Sequence, residues 1–229
     1  MRTRNNAGFT RNELIAVVVV VTLLALVIYP AISAAIDQAA STAMKSKGRG
    51  IWTAVLSASE ERRLAGEGPA WPRELGFDVS RTSTEYFRQL MSDYPTGMTN
   101  GLHGPMCEDL KPYALGGAGV PCADSVAVFT SKNNAWDVVC VGTQTSANEQ
   151  NIGDVPFLIT RNVTVGRHVN ALSSLDFNKR SPLRIRRCVY LTYGGACIDR
   201  RKEYLNAPSG LSCVLEGLGT NATGDVMFP

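Results

Sequence analysis

Glu13 has the most demanding setting of any ionisable residue in the chain. It stands directly before Leu14–Ile36, 23 residues without a charge. An ionised group at the edge of an apolar segment is costly unless something pairs with it, which makes it a functional candidate. Its simplest role is a carboxylate at the level of lipid headgroups, facing water. Six cysteines, Cys107, Cys122, Cys140, Cys188, Cys197 and Cys213, could bridge one another or hold a metal. None of them forms a CxxC, and the two histidines, His103 and His168, stand isolated. Metal sites need ligands clustered at fixed spacing, and a nucleophilic Cys–His pair needs a third group to orient it. Neither pattern is present, so no catalytic residue, cofactor or metal is expected. The glycines at 116, 117 and 119 lack the preceding strand and following helix of a phosphate loop and read as a loop. Arg184, Arg186, Arg187, Arg200, Arg201 and Lys202 crowd one hairpin. On alternating strands they form a solvated face, and no aromatic residues are interleaved to stack nucleic-acid bases.

All six cysteines follow the apolar segment. An even number on one side of a membrane points to an oxidising compartment and up to three disulfides; the alternative is buried free thiols. Cys107–Cys122 is the one pairing expected, because a Gly/Pro-rich loop lies between them. Cys140, Cys188, Cys197 and Cys213 remain possible disulfide cysteines.

These residues need elements to position them. As a helix, Leu14–Ile36 reaches roughly 34 Å, enough to cross a hydrocarbon core. Arg2, Arg4 and Arg11 precede it and Asp37 follows, so the N-terminus is expected in the cytoplasm and the remainder exported. A secretory signal peptide cut near Ser33-Ala34-Ala35 is the competing reading. The run is long for a signal h-region, however, and Glu13 opens it. Apolar residues continue at three- and four-residue spacing through Ile32, Ile36, Ala40, Ala43, Ile51, Val55 and Ala58, a stripe broken at Lys47. One helix is therefore expected from about Asn12 to Leu64, loosened or kinked at Pro30 and ended by Arg62, Arg63 and Gly66. Thr82-Ser-Thr-Glu85 reads as a capping box opening a short helix to about Asp93. Residues 95–123 read as a long loop. Strands are expected at Ser125–Thr130, Ala135–Val141 and Val155–Val165. A hairpin pairs Leu183–Thr192 with Ala196–Arg200 across Tyr193-Gly194-Gly195. The last 20 residues read as a Gly-rich tail, anchored at most through Cys213. The fold class is α+β: a long N-terminal helix with an antiparallel sheet head.

Gly8-Phe9-Thr10-Arg11-Asn12-Glu13-Leu14, behind a short basic leader and ahead of the apolar run, resembles the processing signature of type IV pilins and type II secretion pseudopilins. The resemblance covers roughly residues 1–37. It implies cleavage by a prepilin peptidase between Gly8 and Phe9, methylation of the new N-terminal Phe9, and an assembly role for Glu13 as the fifth mature residue. Pro30 falls at the twenty-second mature residue, where the family commonly has proline. The chain departs from the family at Arg11 and Asn12, where apolar residues are usual. The implied organisation is a leader at 1–8, a helix at 9–64 with its transmembrane part at 14–36, and an exported head at 65–229. The implied function is structural: a subunit of a type II secretion pseudopilus or type IV pilus-like filament, assembled through its N-terminal helix. The alternative is a minor, tip-located pilin acting as an adhesin or as a substrate- or DNA-binding module. Expected partners are copies of itself or related pilins, the prepilin peptidase, an inner-membrane assembly platform and inner-membrane lipid. The expected location is a bacterial inner membrane, crossed once, and then a surface or periplasmic filament. Net charge is +3, which leaves no electrostatic footprint for nucleic acid.

Overall fold

The computed structural model describes residues 10–78, 80–93, 115–116, 120, 123, 125–141, 153, 155–164, 176–177, 183, 187–201 and 224–228. The chain divides into two compact units, Met1–Ala39 and Ala40–Pro229, with the boundary inside the first helix. In the first unit the described residues from Arg11 onward are helical and, apart from the half-buried Asp37, exposed.

Helix α1 spans Arg11–Leu64 and runs through Pro30 without interruption. Its end is the one expected. Gly66 takes a left-handed φ of +79°, and Glu67 N–H returns to Arg62 O at 2.8 Å, satisfying carbonyls of the last turn. The buried face differs from the expected stripe. Ser41, Met44, Gly48, Ile51, Val55 and Ala58 are buried, at strict three–four spacing, whereas Ile32, Ile36 and Ala43 are exposed. Lys47 does not break this face, because Gly48 continues it. A Cβ on Gly48 would lie 3.0 Å from the Trp136 ring, so glycine is there to admit the largest buried side chain of the head.

Helix α2, Ser83–Asp93, opens with the expected capping box. Thr82 N–H donates to Glu85 Oε2 at 3.1 Å, and Glu85 N–H donates to Thr82 Oγ1 at 3.2 Å. Its buried Tyr86, Phe87, Leu90 and Met91 join the core, and Tyr86 OH donates to Ala70 O at 3.0 Å.

Five strands form one antiparallel sheet: β1 Trp136–Val141, β2 Pro156–Thr160, β5 Arg187–Thr192, β6 Cys197–Arg201 and β7 Gly224–Met227, in the order β6-β5-β2-β1-β7. Two short strands, β3 Val163–Thr164 and β4 Asp176–Phe177, pair separately. Register aligns Met227, Val138, Leu158, Leu191 and Cys197 in one row across the sheet. Val138, Leu158, Leu191 and Met227 are core residues packed with the buried face of α1, and Cys197 packs against that core. The next row, on the opposite face, runs Asp137, Ile159, Tyr190 and Ile198. Its first three members are buried as well, so the sheet is covered on both sides. That explains why β2 and β5 show no polar alternation.

The β5–β6 hairpin needs both its glycines. Gly195 has φ +83° and sits where a Cβ would meet Trp52. A Cβ on Gly194 would fall 2.8 Å from Gly153 O.

Three sequence expectations are corrected. Val126–Val128 is a single 3-10 turn rather than a strand, with Val126 and Val128 exposed. Phe129 is buried, and its carbonyl is taken by the Arg88 guanidinium instead of by a neighbouring strand. The expected strand Val155–Val165 is split by a turn at Arg161-Asn162, whose side chains bond Asn134 O and Arg187 O. The tail is not merely loose: Gly224–Met227 forms edge strand β7 on β1, Met227 is buried, and Phe228 O accepts Ser83 N–H at 2.9 Å.

Candidate functional site

Thr10 is the N-cap of α1 and Glu13 its N3 residue. A helix start leaves four N–H groups unpaired, and this pair answers two needs at once. Thr10 N–H and Thr10 Oγ1 both donate to Glu13 Oε2 at 2.8 Å, Glu13 N–H donates to Thr10 Oγ1 at 3.3 Å, and Leu14 N–H donates to Thr10 O at 3.1 Å. This is a second capping box. The signal for it, Thr-x-x-Glu, was present in the sequence in the same form as at Thr82–Glu85. Among the described residues, the bonds to the carboxylate fall on one oxygen. Thr10 N–H is an amide whether the chain starts at Met1 or at Phe9, so the box does not depend on the leader.

Beyond the box, the large apolar side chains from Leu14 to Ile36 are 49–77% exposed. α1 is long and apolar enough to cross a membrane, and its most apolar stretch is not buried. Uncovered apolar surface of this extent calls for lipid or another protein. Its one hydroxyl between Leu14 and Val27, on Thr22, is satisfied by Val18 O at 2.8 Å. Pro30 lies within α1, and Arg11 is exposed in its first turn. Gly8 and Phe9 lie outside the described residues.

Cys107, Cys122 and Cys213 also lie outside the described residues. Oxidation of the 107–122 pair remains the expected outcome: closing that loop would contribute about 3 kcal/mol, and non-reducing peptide mapping should recover a linked peptide. Alkylation of both thiols without reductant would remove the pairing.

Cys188 and Cys197, both possible disulfide cysteines, are free thiols here. Register keeps the two from bridging each other. Cys188 faces Arg200 and Cys197 faces Leu191, three residues apart along the ladder and therefore on opposite faces of the sheet. Cys140 faces Asp225, and its Sγ lies 3.1 Å from Phe77 O. Burial pushes the Cys188 thiol up to about 12, with a hydrogen bond from Thr160 opposing. Burial also raises Cys197, against the pull of Arg49 and Lys45. Thiols held protonated are poor nucleophiles and poor metal ligands. Among the described residues no group of three His, Cys, Asp or Glu is close enough to hold a metal.

Two carboxylates in the head carry no signal in the sequence around them. Asp199 on β6 meets Ser41 and Lys45 of α1 and Arg187 of β5. Asp137 on β1 is buried with its Oδ1 unpartnered. Burial raises the Asp137 carboxyl well above the usual range, and the Arg161 guanidinium opposes this only in part. The folded chain therefore holds a proton that the unfolded chain releases above about pH 4, and stability falls as pH rises through that value towards the folded pKa. Asp137→Asn is expected to melt close to wild type near pH 3.5 and above it at pH 7. A gap between the two melting temperatures that does not widen with pH would refute this.

No protein-family model, curated protein or solved structure matches the chain.

Proposed function

We propose that the chain is a prepilin-like structural subunit of a type IV pilus or type II secretion pseudopilus. One observation carries this reading. Gly8-Phe9-Thr10-x-x-Glu13 opens 23 uncharged residues, and those residues continue as one helix into an α+β head. In the membrane the apolar helix stores the subunit. In a filament its lipid contacts are exchanged for contacts with like helices. The hydrophobic term then nearly cancels, and polar pairing selects the register. Glu13 suits that role because its Oε2 is already committed to Thr10, leaving Oε1 for the N-terminal ammonium of a neighbouring Phe9. Methylating that amine keeps its charge. The head, with its sheet packed on the second half of α1, faces outward.

The test is the mature N-terminus. Expression with a prepilin peptidase, followed by intact-mass analysis of membrane-extracted protein, should give a chain starting at Phe9 and ~14 Da heavier than the unmodified mature sequence. A chain starting near Ile36 would mean a signal peptide. An uncut chain in the presence of active peptidase would exclude the prepilin reading.

A further inference from the structure

We infer that Asp199 is a clamp that fastens the first turns of the head's helix to the edge of the sheet. Three side chains converge on its carboxylate. Ser41 Oγ donates to Oδ2, Lys45 Nζ lies 3.5 Å from the same oxygen, and Arg187 Nε lies 3.7 Å from Oδ1. Ser41 and Lys45 are four residues apart, hence on one face of α1, and Ser41 is the first residue of that helix to be fully buried. Cys197, two residues along β6, adds a contact of its Sγ to Lys45 O at 3.8 Å. The carboxylate thus sits where the compact unit that begins at Ala40 first takes hold of the helix.

Energetics argue that this cluster is kept for placement rather than for stability. The Asp199 side chain is only 10% exposed, and its Oδ1 lacks a hydrogen bond because Arg187 is too far for one. A largely buried, incompletely bonded ion cluster about breaks even against apolar packing. Such clusters do, however, fix register, since removing one member takes a counter-charge from the others. Lys47 Nζ also donates to Gly116 O at 2.9 Å, but Asp199 meets two donors of the helix at once. The consequence for filaments rests on the proposed function. A subunit passes load from its helix to its head through these turns, so an undone clamp should lower filament yield without changing cleavage.

Hydrogen exchange of the full chain in detergent tests the clamp without reference to filaments. In Asp199→Ala, exchange of amides 41–48 should rise by about tenfold, while β1 and β2 keep their protection. Asp199→Asn, which keeps an oxygen for Ser41 Oγ but loses the charge, should raise the same amides less than Asp199→Ala. Unchanged exchange at 41–48 would overturn the clamp. So would an equal rise over the whole head, which would make Asp199 an ordinary contributor to stability. If Asp199→Ala does not accumulate, Ser41→Ala takes its place, with a smaller rise confined to the same amides expected and a uniform or absent one counting against the clamp. Correct cleavage with loss of filaments supports the clamp only when the local exchange has risen.

Discussion

Glu13→Leu is expected to insert and be cleaved normally and to lose most of its filaments. The decisive companion is Glu13→Gln. Glutamine serves in a capping box as well as glutamate does, so the bonds from Thr10 survive in that variant and only the charge is lost. Leucine removes both. If Glu13 merely caps α1, the glutamine variant should assemble like wild type and the leucine variant should lose only some order in its first turn. If the carboxylate pairs with the ammonium of a neighbouring Phe9, both variants fail, because a charge left alone where water is scarce is costly and a filament repeats that cost at every subunit. We expect the second pattern, with sheared filaments reduced about tenfold or more against equal amounts of processed membrane protein. Arg11, two residues away, does not share a helix face with Glu13 and should not neutralise it within one chain. Between chains it could, and Arg11→Leu would then impair assembly too. Normal filaments from both Glu13 variants would end the pairing hypothesis.

The largest loss of stability is expected from Trp136→Ala. Trp136 is fully buried, its backbone is held by Asn134 Oδ1 and Ser83 Oγ, and its ring fills the space left by Gly48. Truncating a buried aromatic of this size costs about 3–5 kcal/mol. Trp136→Phe should cost less, since it keeps a ring and removes an indole N–H that has no partner. Coupling to the helix provides the specific check. In the wild type, Gly48→Ala pushes a methyl to within 3.0 Å of the indole, whereas once the indole has been truncated the same methyl has room. Calorimetric melting should therefore show Gly48→Ala to be worse tolerated alone than in the Trp136→Ala background. Additive losses would mean that the helix and β1 do not meet as described.

Much of the molecule could be read locally. The extent of α1 follows from its apolar run and the Arg62–Gly66 stop, α2 from Thr82–Glu85, and the β5–β6 hairpin from its two glycines. Each of these signals acts within about five residues, which is the range over which periodicity, capping and turn chemistry operate. The capping role of Glu13 was equally local, but the long apolar run beside it points to the membrane first. The rest was decided by partners far away in sequence. Ser41 and Asp199 are 158 residues apart, and nothing near either one announces the other. Asp137 looks like a solvated strand residue until both faces of the sheet are seen to be buried. The face of α1 shifted from Ala43 to Met44 and Gly48 because Trp136, not the helix's own pattern, chose where a bare backbone was needed. Ser125–Thr130 had the alternation of a strand but forms a single 3-10 turn, while Gly224–Met227, with almost no pattern at all, pairs with β1. A sequence records which faces are apolar; which face meets which, and hence which polar groups are trapped between them, is settled only when all the elements compete for the same core.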